Sequence, residues 1–381
     1  MDIHIPTDIY MVDLHSQYLR IKEEIDIAIQ EVIDSSMFIR GPVLSAFESE
    51  LSAELGGVGV LGVANGTDAL QIALMALGVG PGDEVITPSF TFVATAEAVG
   101  LLGATPVFAD IDPHTFSIDA EQIQALITGE TKAIVPVHLF GQCADMSAIM
   151  DIAESHGIPV IEDAAQAVGA RFEGRTAGSM GDFGTLSFFP TKNLACFGDG
   201  GAVVSHDPDL LDRARLIANH GSMKKYHNEI IGINSRLDAM QAAILRVKLK
   251  HLQEYSDARR LAADRYDELF SDVSEITCPV RDERSTHVFH QYTIRVIGGD
   301  SKRRDALQQF LKQREVPSFV YYPVPLHLLP IYKDDPTSCR TGTMDETSRA
   351  TNEVLSLPMH TELTHAQQVK VVDTCRAFFN E

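Results

Sequence analysis

Between residues 58 and 205 short apolar runs alternate with helical segments, and this alternation limits the possible folds more than any other feature of the chain. The runs VGVLGVA, DEVITPS, TPVFADI, TKAIVPVH, IPVIEDA, GTLSFFP and GAVVS read as strands. Helix-like pieces lie between several of them, at 67–77, 92–102 and 146–155. The pattern predicts an α/β domain around a mostly parallel sheet, because parallel neighbours need a crossover, usually a helix. Upstream, Ile21, Ile25, Ala28 or Ile29, and Val32 recur at helical spacing and predict an amphipathic helix over 17–33. A long helical pattern follows over 237–270. The remainder, with HQYTIRVIG, a helix at 303–314 and PSFVYY, reads as a smaller α+β unit. The expected division is a large domain over 1–250, including the N-terminal helical segment, and a small C-terminal domain over 251–381.

The chain has 381 residues, with 31 basic against 53 acidic side chains, a formal net charge of -22. That length can bury a sizeable core without disulfides or metals. The acidic excess argues against broad nucleic-acid binding and against docking on an anionic membrane, both of which need clustered Lys and Arg. It does not exclude an anionic small ligand, since a local cup of backbone N–H groups can hold a phosphate. Five scattered cysteines without a C-x-x-C pair, no basic start before an apolar run and no apolar stretch of membrane-spanning length predict a reduced, cytoplasmic protein.

Gly57-Val-Gly59-Val-Leu-Gly62 matches G-x-G-x-x-G, yet a dinucleotide fingerprint needs its glycines after a strand, opening a helix. Here the segment is itself strand-like, and the turn comes later, at Asn65-Gly66. Ala64-Asn65-Gly66-Thr67-Asp68 leaves a strand and enters a helix, so it offers free N–H groups and a positive helix end. Alone it is an ordinary capped helix. Asp163 closes an apolar strand, at the sheet edge where α/β proteins bind ligands, though Asp there is also a routine helix cap. Lys192 ends the run GTLSFFPTK. It is either a solvated surface lysine or a desolvated one suited to Schiff-base chemistry. Ser187 lies in the same run. Together, a phosphate cup, a carboxylate and a lysine at one sheet edge match the needs of pyridoxal phosphate. Phe90 and Phe92 offer a stacking face, with core packing as their default role. His138, His220, His287 and His290 have no supporting carboxylate set, so they are expected to be structural or surface residues, and no metal site is expected.

At these residues the sequence resembles the DegT-type sugar-nucleotide aminotransferases, of the aspartate-aminotransferase fold (fold type I). The resemblance runs from GPVLSAFE through ANGTDALQIALMALGVGPGDEVITPSFTFVATAEAV, VPVHLFGQCADM, VIEDAAQAVGA and SFFPTKNL to NSRLDAMQAAIL and YYPVPLH. It implies that Lys192 is the catalytic, cofactor-linked lysine, that Asp163 pairs with the pyridine nitrogen and that Gln166 approaches the ring hydroxyl. Gly66, Thr67, Asp68 and Ser187 would contact the phosphate, and Phe92 would stack on the ring. It further implies a homodimer with shared sites, in which Asn234 reaches the neighbouring chain's cofactor. Arg236, Tyr321 and Tyr322 would line the sugar-nucleotide site. Tyr321 stands where relatives often have His.

The implied activity is transfer of an amino group from L-glutamate to a nucleotide-linked keto sugar, in amino-sugar biosynthesis for surface polysaccharide. NSRLDAMQAAIL, YYPVPLHLLPIY and LSLPMH resemble most the branch acting on a UDP-linked 3-oxo sugar of the 3-oxo-GlcNAc-uronate type. A dTDP- or UDP-linked 3-keto or 4-keto-6-deoxy sugar is the alternative substrate. A same-fold dehydratase would carry His in place of Lys192. A nicotinamide-dependent sugar oxidoreductase would rest on the Gly57–Gly62 pattern, and a non-catalytic regulator is a further reading. The acidic excess is expected to lie mostly outside the cleft, and carboxylates crowding the cleft besides Asp163 would weaken the reading.

Overall fold

The computed structural model describes residues 8–298, 300–335 and 337–380. The first seven residues, part of the segment read above for a leader, lie outside the described residues. Seven strands form the central sheet: β1 (Gly59–Val63), β2 (Glu84–Pro88), β3 (Thr105–Ala109), β4 (Thr131–Ile134), β5 (Ile161–Asp163), β6 (Phe183–Ser187) and β7 (Gly201–Ser205). They pair in the orders β1-β7-β6-β5 and β3-β2-β4. Parallel bridges Ile134–Val160 and Val137–Asp163 join the two halves between β4 and β5. Strand β7 runs against both neighbours, and the other six share one direction. The sheet is therefore mostly parallel, and each predicted run contributes its strand.

Apolar residues cover both faces of this sheet, which is why the strands read as continuous hydrophobic runs. Period-two alternation divides them. Val60, Ile86, Val107 and Ile134 pack with Leu44, Phe47 and Leu51 of helix α1 (Pro42–Glu54). Leu61, Val63, Val85, Ala133 and Ile161 pack with Leu70, Ala73 and Leu74 of helix α2 (Gly66–Ala76). The Gly57–Gly62 pattern has a packing role here. A Cβ on Gly59 would lie 2.5 Å from Leu211 Cδ2, and one on Gly62 would lie 2.9 Å from Leu44 Cδ1. These glycines let side chains from flanking helices lie flat on β1.

The amphipathic pattern near the amino terminus forms two helices, Leu14–Arg20 and Lys22–Ser35, meeting at Ile21. The 237–270 pattern likewise divides at His251, into Ala239–Lys250 and Leu252–Leu269. Beyond it, Tyr292–Val296 pairs antiparallel with Ile276–Thr277 and Val354–Leu357, flanked by helices Ser301–Gln313 and His365–Asn380. The middle of this small sheet is the predicted HQYTIRV strand. PSFVYY contributes a bridge from Phe319 to Ser356 and no longer strand, and Val354–Leu357 was not anticipated. We keep the division at 250 as a proposal. Strand pairings cross it: Ser285–Thr286 pairs antiparallel with Arg171–Phe172. Arg340–Thr341 pairs in parallel with β3, and the Arg340 guanidinium grips Glu84 through Nε–Oε1 at 2.9 Å and Nη2–Oε2 at 2.8 Å. Among the described residues no helix is long and apolar enough to cross a membrane. All five cysteines are free thiols.

Candidate active site

Turns leaving the carboxyl ends of β1, β2, β5 and β6 converge on one cleft of about 840 Å³. Its lining includes Gly66, Thr67, Asp68, Phe92, Asp163, Gln166, Ser187, Lys192, Tyr321 and Tyr322. Ten of the twelve residues singled out from the sequence thus meet in one place. Asn234 and Arg236 do not. Asn234 is exposed and bridges to Asn219, and Arg236 lines a separate depression with Arg40, Glu48 and Arg215.

Helix α2 opens at the exit of β1, with the Asn65 carbonyl oxygen Oδ1 accepting from the Asp68 N–H at 2.8 Å. The Asp68 N–H is thereby occupied, while those of Gly66 and Thr67 have no intrahelical acceptor and face the cleft end of the helix. The turn sits against its neighbours with no room for side chains. A Cβ on Gly66 would lie 2.8 Å from Ser187 Cβ, and one on Gly201 would lie 2.5 Å from both the carbonyl carbon and oxygen of Asn65. The result is a narrow cup of N–H groups and a hydroxyl at a positive helix end, suited to a phosphate.

Successive positions on β5 have opposite duties, because alternate side chains point to opposite faces. Glu162 is fully buried and accepts from the Gly178 N–H at 2.8 Å, the Gly181 N–H at 2.7 Å and the Met180 N–H. Its fourth donor is His138 Nε2 at 2.8 Å. The ring proton belongs there because His138 Nδ1 accepts from the Ala144 N–H at 3.1 Å. Asp163 faces the cleft, held by the Thr95 hydroxyl at 2.8 Å and the Ala165 N–H at 3.2 Å. Burial raises its carboxyl above the ordinary carboxylate range; those two hydrogen bonds and then the charge of Lys192 oppose the rise. A cationic ring nitrogen would satisfy such a site.

Across the cleft, burial lowers the Lys192 ammonium to about 8, with Asp163 pulling the other way. It makes no ion pair among the described residues. Gln166 is fixed at both ends, accepting from the Phe140 N–H at 2.8 Å and donating to Tyr322 Oη at 3.1 Å. The two phenylalanines divide: Phe90 is fully buried among Phe116, Phe140 and Tyr322, whereas Phe92 is 56 % exposed at the cleft. An uncovered aromatic face, a cup for phosphate, a desolvated carboxylate and an unpaired lysine fit pyridoxal phosphate as a set.

Two features depart from expectation. Asp68 and Asp199 join Asp163 in the lining, so one chain's cleft carries three carboxylates beside Lys192, of which Asp199 was not anticipated. His290, expected to be structural or on the surface, also lines the cleft, whereas His287 is a packing residue stacked on Phe289 at 3.8 Å between ring centroids. The signal missed for His290 was its place at the head of the HQYTIRV run, two residues before the strand Tyr292–Val296. Among the described residues no group of three or more His, Cys, Asp or Glu gathers to hold a metal.

Comparison with known proteins gives one answer. Residues 19–376 match the DegT/DnrJ/EryC1/StrS aminotransferase family. The chain is 47% identical over 371 residues to a "Pleiotropic regulatory protein" of Geobacillus stearothermophilus, covering 97% of this chain and 98% of that one. It is 45% identical over 372 residues to UDP-2-acetamido-2-deoxy-3-oxo-D-glucuronate aminotransferase of Pseudomonas aeruginosa, covering 98% and 100%. Among solved structures, S. venezuelae DesV in complex with a ketimine intermediate superposes with TM-score 0.93 at 40% identity, over 99% of this chain and 100% of that one.

Proposed function

The chain belongs to the DegT/DnrJ/EryC1/StrS aminotransferase family, and from that premise we propose that it moves an amino group from L-glutamate to a UDP-linked 3-oxo sugar. It is a transaminase dependent on pyridoxal phosphate, a cofactor that supplies an electron sink for amino-group exchange. Lys192 and Asp163, facing one cleft from two strand ends, are the observation on which the reading rests. Asp163 keeps a proton on the ring nitrogen. The Gly66 and Thr67 N–H groups and the Ser187 hydroxyl receive the phosphate, with Asp68 behind them as a first-turn carboxylate. Gln166 would sit beside the ring hydroxyl, and Phe92 would cover a ring face. Lys192, with its ammonium lowered to about 8, takes and returns the proton at the substrate carbon as general base and acid.

The choice of a UDP-linked 3-oxo-GlcNAc-uronate type of sugar is supported by the Pseudomonas relative, whose name carries that substrate. A dTDP- or UDP-linked 3-keto or 4-keto-6-deoxy sugar is the alternative. Tyr321 and Tyr322 line the cleft where the sugar would enter, and Asn234 and Arg236, outside it, would serve the cleft of a second copy in a homodimer. Such an enzyme belongs in the cytoplasm, in amino-sugar supply for surface polysaccharide. The Geobacillus relative's name motivates a regulatory reading, which turnover separates. A panel of keto sugar nucleotides incubated with L-glutamate, with the product's amino position assigned by NMR, is expected to yield a 3-amino sugar. Lys192→Ala is expected to retain cofactor yet lose turnover by at least about 10⁴-fold, as for removal of a catalytic nucleophile. An active Lys192→Ala enzyme would refute the assignment.

A further inference from the structure

We propose that His327 is a positioning residue for the sugar-nucleotide side of the cleft: its hydrogen bond to the Ser89 hydroxyl fixes the strap 319–327, and with it the placing of Tyr321 and Tyr322 against the substrate. The inference rests on the transaminase reading above and adds two residues, His327 and Ser89, outside the set which that reading uses.

The strap is anchored at both ends. At the small unit, the Phe319 N–H donates to the Ser356 carbonyl at 3.0 Å, and the Ser356 N–H donates back to the Phe319 carbonyl at 2.7 Å. At the large unit the anchor is Ser89, the fully buried residue directly after β2. Its carbonyl accepts from the Leu326 N–H at 3.0 Å, and its hydroxyl accepts from the His327 N–H at 3.3 Å. The same hydroxyl meets His327 Nδ1 at 2.7 Å, the shortest of these three bonds. Between the anchors, main-chain groups of 320–324 make no hydrogen bond to other main-chain groups among the described residues. Pro323 and Pro325 each lock a φ angle, so a displacement at His327 is carried along a stiff arm to Tyr322.

The strap carries its aromatic side chains into the site. Tyr321 and Tyr322 line the cleft, whereas His327 does not, so it acts through them. Phe319 stacks on Tyr321 at 6.0 Å between ring centroids. Tyr322 packs edge-on against Phe90 at 6.0 Å, and its hydroxyl accepts from Gln166 Nε2 at 3.1 Å. Phe90 follows Ser89 directly, and Phe92 lies two residues further on. One segment leaving β2 thus places the aromatic face offered to the cofactor and, through His327, the tyrosine wall offered to the sugar nucleotide. The polarity of the bond is set by its partners. The Ser89 hydroxyl accepts from a main-chain N–H, and its one proton goes to Nδ1. Burial lowers the His327 ring below its ordinary range, with the Asp110 charge opposing, so Nδ1 remains an acceptor at neutral pH.

The test compares the two substrates of one enzyme. His327→Leu removes the acceptor, and it is expected to raise KM for the sugar nucleotide by about fivefold or more, the scale of one lost hydrogen bond. KM for L-glutamate is expected to stay within about twofold, because the glutamate half-reaction does not use the tyrosine wall. His327→Asn, which keeps an acceptor near the Nδ1 position, is expected to return the sugar-nucleotide KM toward wild type. A second measurement needs no turnover: nitration of Tyr321 and Tyr322 in the cofactor-free full-length chain, read by peptide mass analysis. A released strap is expected to nitrate about threefold faster or more. An unshifted sugar-nucleotide KM, an equal rise in both KM values, or wild-type nitration in a folded His327→Leu overturns the proposal. Should His327→Leu not fold, Ser89→Ala removes the same bond from the other side, and wild-type values on both measurements there overturn it. Lack of turnover with every keto sugar nucleotide would remove the transaminase reading while leaving the nitration measurement intact. Unchanged kinetics and nitration in an active His327→Leu enzyme remove the role of His327 alone.

Discussion

Replacing Glu162 by Gln changes one carboxylate oxygen into an NH2 group and leaves the volume almost unaltered, yet it is expected to be among the most damaging single substitutions in the large unit. Four donors converge on that carboxylate: the N–H groups of Gly178, Met180 and Gly181, and His138 Nε2. Gln has one acceptor oxygen. Either orientation turns its NH2 toward two donors, Gly178 and His138 or Met180 and Gly181. Two hydrogen bonds to a charged acceptor are lost, at about 1.5–3 kcal/mol each, so the expected loss is about 3–6 kcal/mol. Guanidinium unfolding followed by circular dichroism, at saturating cofactor, should lower the midpoint with little change in slope. His138→Ala removes one donor of the four and should cost less. A Glu162→Gln stability within about 1 kcal/mol of wild type would mean that the loop 178–181 does not depend on this carboxylate, and the reasoning would fail.

Gly201→Ala drives a Cβ into the Asn65 backbone beneath the phosphate cup; it should destabilise by about 1–3 kcal/mol and weaken cofactor binding, measured by titration of the visible band, and unchanged affinity would refute the packing argument. Asp163→Asn should lower turnover by about 10²–10³-fold, the range for loss of one oriented electrostatic contact. In the cofactor-free chain its effect has the opposite sign. Burial holds the Asp163 carboxyl above its unfolded value, so the folded chain binds that proton more tightly and stability falls as pH rises through the interval between the two. Asn has no such proton, and a thermal-melt series from acid to neutral pH should show the variant gaining on wild type as pH rises; parallel curves would count against it.

The sheet was legible because β1 to β7 are apolar on both faces, so their runs stand out without any alternation to interpret. Asp163 and Lys192 were legible because each ends such a run. Glu162 was not, since its partners lie 24 residues upstream, at His138, and 16–19 residues downstream, at Gly178 to Gly181. A carboxylate inside an apolar strand has no local signature of what satisfies it. His290 was passed over because histidines were weighed only as metal ligands. The breaks at Ile21 and His251 escaped notice because apolar spacing continues across both, and neither is marked by proline or glycine. Asn234 and Arg236 mark a different limit: their assignment came from family resemblance, and one chain's own cleft does not contain them.

The short Arg340–Thr341 segment has a consequence for how the protein is made. It supplies the pairing partner for β3, whose outer row of N–H and C=O groups would otherwise form an open edge. Strand β3 leaves the ribosome more than two hundred residues before that segment does. At about 5–20 residues per second, the nascent sheet waits on the order of ten seconds or more with one side unguarded. Truncated or stalled chains that end before Arg340 never acquire the guard, so they should be the species that pair with one another and collect on chaperones.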